Sequence, residues 1–165
     1  MTRRGLSLLA LLTVVAFATL AGFAELRLRA DGMGVFDARV LGYGLDEARA
    51  YLAALTAEQT VLYKTQFRLG DTAFPALLSL LLLLWFRRRT RGGLRLALTL
   101  AVALYLAADY MENMLIGRLL ELGPEAITRQ SVATASLFTQ AKWAIVAICL
   151  GAALLLWTRK ERTTQ

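Results

Sequence analysis

The stretch GLSLLALLTVVAFATLAGFA, Gly5 to Ala24, runs without a single charged side chain. At 1.5 Å per residue it reaches about 30 Å, the thickness of a bilayer's hydrocarbon core. Working outward from it, three more apolar runs appear. Thr72 to Phe86 is uncharged. Leu96 to Ala108 is uncharged, and its pattern continues past Asp109 to Leu120. Trp143 to Thr158 is uncharged and is separated only by Lys142 from a second uncharged run, Ser131 to Ala141. The later runs reach spanning length only when their helices include the embedded charged positions. Spans are therefore expected over about 5–25, 59–87, 95–120 and 131–158.

Composition agrees. The chain has 165 residues, 58% of them hydrophobic and 19% charged, and a formal charge of +7. Its mean hydropathy is +0.54. Soluble domains are about 45–50% apolar, and disorder needs low hydrophobicity. The one cysteine, Cys149, excludes a disulfide framework and reads as a core residue. With no histidine, imidazole-based zinc sites and Ser-His-Asp chemistry are absent. No cofactor or metal is expected, since Lys142 would compete with a cation for the embedded carboxylates. The basic residues flank apolar runs, which points to membrane lipids rather than nucleic acid as the partner.

Arginine and lysine give the direction. One side would hold Arg3, Arg4, Arg87, Arg88, Arg89, Arg91, Arg95, Arg159, Lys160 and Arg162 against the single acid Glu161. The other side holds eight basic residues against nine acids. Both termini and the Arg87–Arg95 loop are thus expected in the cytoplasm of a bacterial cell, with the chain in its inner membrane. Arg3-Arg4 followed by an apolar run also resembles a secretory signal peptide. The run is longer than the usual core of about 7–15 residues, so a retained helix is expected.

The segment between the first two spans should lie outside the cytoplasm. Gly42-Tyr43-Gly44 reads as a turn. Asp46 reads as the N-cap of a short helix to Leu55, with Leu45, Ala48, Leu52 and Leu55 on one face. Such a helix can lie on the bilayer surface or on the bundle. Thr56 and Gln59 form a capping box that starts a new helix at Ala57. Pro75 is the expected kink, and it frees the carbonyl of Asp71. Gly123-Pro124 marks the connection between the third and fourth spans. No internal repeat divides the chain, so a single domain is expected.

The informative residues are those a bilayer rejects. Ionisable groups at depth are costly and are functional candidates by default. Asp71 lies about 24 Å from Arg87 along its helix, Asp109 and Glu112 about 21 and 26 Å from Arg95, and Lys142 about 26 Å from Arg159. Three helices therefore bring polar groups to one level in the outer leaflet. Tyr105, Asp109, Glu112 and Asn113 share one helix face, and Lys64, Arg68 and Asp71 share another. The candidate ligand-binding residues are Asp71, Asp109, Glu112, Asn113, Lys142, Arg68 and Tyr43. Lys142 is expected to pair with Asp109 or Glu112, or to hold an anionic headgroup. A second nearby carboxylate could serve proton relay or acid–base work. A polar network that only locks helix register is the structural alternative.

Several short segments resemble a family of small bacterial four-helix integral membrane proteins with no assigned activity. They are Phe36-Asp37, Gly42-Tyr43, Tyr63 with Gln66, Asp71-x-x-Phe74-Pro75, Asp109-x-x-Glu112-Asn113 and Lys142-Trp143. The resemblance implies the same polar cluster and no particular reaction. A looser likeness of architecture is to four-helix sterol-isomerase-type and sigma-2-receptor-type proteins, whose acidic residues line a ligand pocket. The expected fold is an all-α, polytopic membrane four-helix bundle with a short extracytoplasmic amphipathic helix between spans 1 and 2. The expected function is a pocket that binds or acts on a lipid-like or small amphiphilic ligand. Proton-coupled transport and a structural assembly role are the alternatives.

Overall fold

The computed structural model describes residues 2–162, with the side chains of residues 3 and 159–162 outside the description. Arg3, Arg159, Lys160, Glu161 and Arg162, counted in the charge asymmetry, are therefore not placed by their side chains. The described chain is all-helical. It comprises α1 (Arg3–Phe23), α2 (Leu45–Ala54), α3 (Ala57–Arg89), α4 (Gly92–Ala126) and α5 (Arg129–Arg162). Four of these, all but α2, are long and apolar enough to cross a membrane.

Helix starts follow local chemistry. Thr2 accepts a hydrogen bond from the Gly5 N–H at 3.2 Å and caps α1. Thr56 and Gln59 cap α3 reciprocally, at 3.1 and 3.0 Å, as their spacing predicts. Thr128 and Ser131 do the same for α5, at 3.0 and 3.2 Å. The expected cap of α2 is corrected. Gly44, not Asp46, is its N-cap, and the Gly44 N–H donates to the Glu47 carboxylate at 2.8 Å. Asp46 falls inside the first turn, where its charge still favours the helix dipole. The α2 face that carries Leu45, Ala48 and Leu52 packs on α4 and α5, joined by the fully buried Tyr51. That face is turned to the bundle and not to a bilayer surface.

Two irregularities position the site. In α3 the residues Tyr63–Phe67 form a π-type turn, which directs both Tyr63 and Phe67 inward. This departure from α geometry comes two turns before Pro75, which sits inside the helical run Arg68–Arg89. In α4, Gly123 adopts a φ of 73°, and this left-handed residue with Pro124 turns the chain toward α5.

α4 and α5 make the main contact, α3 packs on α4, and α1 packs on α3. The α1–α3 pairing is antiparallel and regular: Phe17 meets Phe74, Leu20 lies over Gly70, and Phe23 meets Phe67. A Cβ at Gly70 would lie 3.0 Å from the Leu20 side chain, so the small residue permits this approach. α1 and α5 share no comparable contact among the described residues.

The interior has two apolar cores. At the basic end, Leu78, Leu82, Phe86, Leu98, Val102, Val146 and Cys149 pack together. At the opposite end, residues 29–56 form a cap over the helices. Ala30 and Met33 exchange hydrogen bonds across an Asp31-Gly32 turn in which both residues have positive φ. Phe36, Tyr43, Tyr51, Tyr63 and Phe67 form a chain of ring contacts with centroids 4.6 to 6.4 Å apart. The Arg39 guanidinium covers the rings of Phe36, Tyr43 and Tyr51.

Gly42 anchors this cap to α5. Its φ is 81°, and a Cβ there would stand 2.1 Å from Gln140 Nε2 and 2.5 Å from Ser136 Oγ. The next residue, Tyr43, donates its N–H to the same Ser136 oxygen at 2.8 Å. Gly42→Ala is expected to destabilise the protein by about 1–3 kcal/mol through φ strain and the displaced Ser136 contact. Equilibrium unfolding in mixed micelles will measure it, and an unchanged midpoint would remove this anchor from the account.

Candidate functional site

Between the two cores lies a layer of buried charge. Lys142 of α5 touches the Glu112 carboxylate directly and stands 3.6 Å from Asp109 Oδ1. Glu112 is 0% exposed, and Asp109 and Lys142 are nearly as buried. The expectation of a pair with one acid or the other thus resolves into both. Desolvating these ions is expensive, and Lys142 offsets that only by holding two carboxylates at once.

Asn113 extends the network. Its amide nitrogen donates to Asp109 Oδ2 at 3.3 Å and to the Asp71 backbone carbonyl at 3.2 Å. That carbonyl is the one Pro75 leaves without its helical donor, so a side chain of α4 satisfies the acceptor that the proline frees. The Asn113 oxygen accepts from Arg68 Nη1. The same nitrogen lies 3.4 Å from Asp71 Oδ2 and 4.0 Å from Asp37 Oδ1. One connected path therefore runs from Lys142 through Asp109, Asn113 and Arg68 to Asp71 and Asp37.

Asp37 was not among the candidate site residues. It belongs to the cap, within Phe36–Ala38, and is 5% exposed. The Tyr63 hydroxyl donates to its Oδ2 at 2.5 Å and itself accepts the Phe36 N–H at 3.0 Å. The Trp143 indole N–H donates to the Asp37 carbonyl at 2.9 Å. Burial pushes the Asp37 pKa up, but Lys142, Arg68 and the Tyr63 hydroxyl outweigh it and hold the group below its ordinary value. Asp37 is ionised at neutral pH. An acid in a polar inter-helix segment carries no periodic signal of burial. Only its place in the Phe36-Asp37 segment of the family resemblance set it apart.

Next to this layer is a cavity of about 580 Å³. α1 lines it from Ala10 to Ala24, a length of about 21 Å. α3 contributes Phe67, Asp71, Phe74, Leu78 and Leu81, and α5 contributes Lys142, Trp143, Val146 and Leu150. α4 supplies Tyr105 and Asp109 at the back, and Val35, Asp37, Ala38 and Val40 close it at the cap. The wall is apolar along most of its length and charged where Asp37, Asp71, Asp109 and Lys142 meet it. Both α1 and α5 line it, although they share no comparable contact among the described residues. The volume falls in the range of ordinary small-molecule pockets, roughly 300–1,000 Å³.

The candidate residues thus divide. Asp71, Asp109 and Lys142 reach the cavity wall. Glu112, Asn113 and Arg68 stand behind it and hold the first three in place. Tyr43 is not on the wall. It packs on Phe36 in the cap, where burial pushes its phenol pKa up and keeps it neutral. Trp143, Tyr105 and Asp37 join the wall, as do the apolar residues of α1. Among the described residues no group of acids, cysteine or histidine has the arrangement of a metal site. No protein-family model, curated protein or solved structure matches the chain, and the resemblance drawn from its short segments stands on those segments alone.

Proposed function

We propose that the chain is a multi-pass protein of the bacterial inner membrane, both termini cytoplasmic, whose cavity binds a lipid-like or small amphiphilic ligand. The observation that carries this reading is the shape and lining of the cavity. A long apolar trough, charged at one place and lined by both α1 and α5, matches a molecule with an alkyl tail and a polar head. A lateral opening between two long apolar helices would let such a ligand enter from the bilayer. The basic residues Arg87, Arg88, Arg89, Arg91 and Arg95 at one end support the orientation.

Proton-coupled transport would need a polar path to the basic end. That half of the bundle is filled by Leu78, Leu82, Phe86, Leu98 and Val102, and Ser79 is buried there with no hydrogen-bond partner. A purely structural network accounts for the ion pairs but not for the open trough beside them.

Native mass spectrometry of gently extracted protein tests the reading. Wild-type protein is expected to carry a bound amphiphile. Ala21→Trp, which projects an indole from α1 into the trough, is expected to lose it while stability changes by less than about 1 kcal/mol, because the ring fills existing space. A ligand-free wild type, or equal occupancy in the variant, would sink the pocket.

A further inference from the structure

The charge of the head group can be read from the wall. Four carboxylates, Asp37, Asp71, Asp109 and Glu112, share the buried layer with two cations, Arg68 and Lys142, among the described residues. The layer thus holds two more acids than cations. Lys142, the cation on the wall, is already engaged by Glu112 and Asp109. An anionic head group would face three carboxylates there and find no free cation.

A second observation is independent of this count. Among the described residues several buried side-chain polar atoms have no hydrogen-bond partner, and of these residues only Asp37 lines the trough. Its Oδ1 is the atom without an N–H or hydroxyl donor: the Asp71 carboxyl is its side-chain neighbour, and Arg68 Nη1, at 4.0 Å, is beyond hydrogen-bond reach. A buried carboxylate oxygen without a donor is costly. The unpartnered Arg68 Nη2, the one orphaned cationic donor among the described residues, lies off the wall. What the trough lacks is therefore a donor that also carries positive charge.

We propose that the cavity selects a single-chain cationic amphiphile, with a protonated amine against Asp37 and Asp71 and its alkyl chain along Leu78, Val146 and α1. This rests on the pocket reading and adds its chemical class. An ammonium group supplies three donors and no acceptor, which fits a wall of acceptors. A hydroxyl could donate to Asp37 but would leave the charge excess in place. A phosphate would add negative charge to that excess.

The test uses full-length protein in a non-ionic detergent, incubated with an equimolar mixture of dodecylamine, dodecanol and dodecyl phosphate and analysed by native mass spectrometry. The amine is expected to be retained roughly tenfold over each of the others, the scale of one charge-assisted hydrogen bond. Asp37→Asn should bring that ratio to within about twofold. Asp46→Asn, which removes the same charge from an exposed position on α2, should leave it unchanged. Equal or better retention of dodecanol or dodecyl phosphate overturns the cationic preference while leaving the pocket standing. Retention of none of the three defeats both readings. The wild-type head-group series decides the matter even if Asp37→Asn fails to fold.

Discussion

Lys142→Met is expected to destabilise the protein by about 3–5 kcal/mol, the largest effect of any single change at the site. The substitution keeps the length of the side chain and removes its charge. Asp109 and Glu112 then remain in a layer where Glu112 is fully enclosed and, among the described residues, neither has another ion-pair partner. Breaking a buried pair by removing one partner costs far more than replacing the whole pair, because an uncompensated ion stays behind. The triple variant Lys142→Met, Asp109→Asn, Glu112→Gln is therefore expected to recover most of the loss. Equilibrium unfolding in mixed micelles measures both. A single variant within about 1 kcal/mol of wild type would show that the pair contributes little, and would shift the weight of Lys142 to ligand contact. Full recovery in the triple variant together with full ligand retention would favour the register-lock reading of these three residues.

Tyr63→Phe is expected to cost about 2–3 kcal/mol and to loosen the cap. The lost hydroxyl serves two partners, the Asp37 carboxylate at 2.5 Å and the Phe36 N–H at 3.0 Å. Both hydrogen bonds are buried, beside the ring cluster of Tyr51, Tyr63 and Phe67. An orphaned buried charge and an orphaned backbone donor each carry a penalty of this order. Asp37 also loses one of the groups that hold its pKa down, so it takes up a proton at higher pH than in wild type. A depressed carboxylate contributes stability above its unfolded pKa and loses it as pH falls through its folded value. The variant should therefore show a smaller loss of stability on acidification than wild type. Hydrogen exchange at residues 35–44 is expected to accelerate. Unchanged exchange there would show that Trp143 and Gly42 suffice to hold the cap.

Much of the fold was legible because it is local. The uncharged run from Gly5 to Ala24 needs no partner to be a helix of spanning length. The Thr56–Gln59 box starts α3 at Ala57 by chemistry confined to four residues. The shared faces of Asp109, Glu112 and Asn113 follow from helical spacing, and equal distances from the basic ends brought Asp71 and Lys142 to the same layer. The start of α2 is locally ambiguous. Asp46 and Gly44 both precede an apolar face, and only the Glu47 contact with the Gly44 N–H decides between them. The π-type turn at Tyr63–Phe67 has no residue signature of its own, and from it the Tyr63 hydroxyl reaches Asp37.

By itself, then, the sequence determined four long apolar helices, their order, and a belt of charge inside them, because run length, periodicity and capping are properties of neighbouring residues. The tertiary structure alone decided where that belt meets open space. The trough exists because α1 packs on α3 through Phe17, Leu20 and Phe23 and leaves α5 uncovered. Asp37 belongs to the site because a cap held by Gly42, Tyr63 and Trp143 folds it back onto the helices. A cavity is a volume that several distant elements fail to fill, and an inward-turned loop acid is buried by residues far from it in the chain. Neither has a period that a linear reading can detect.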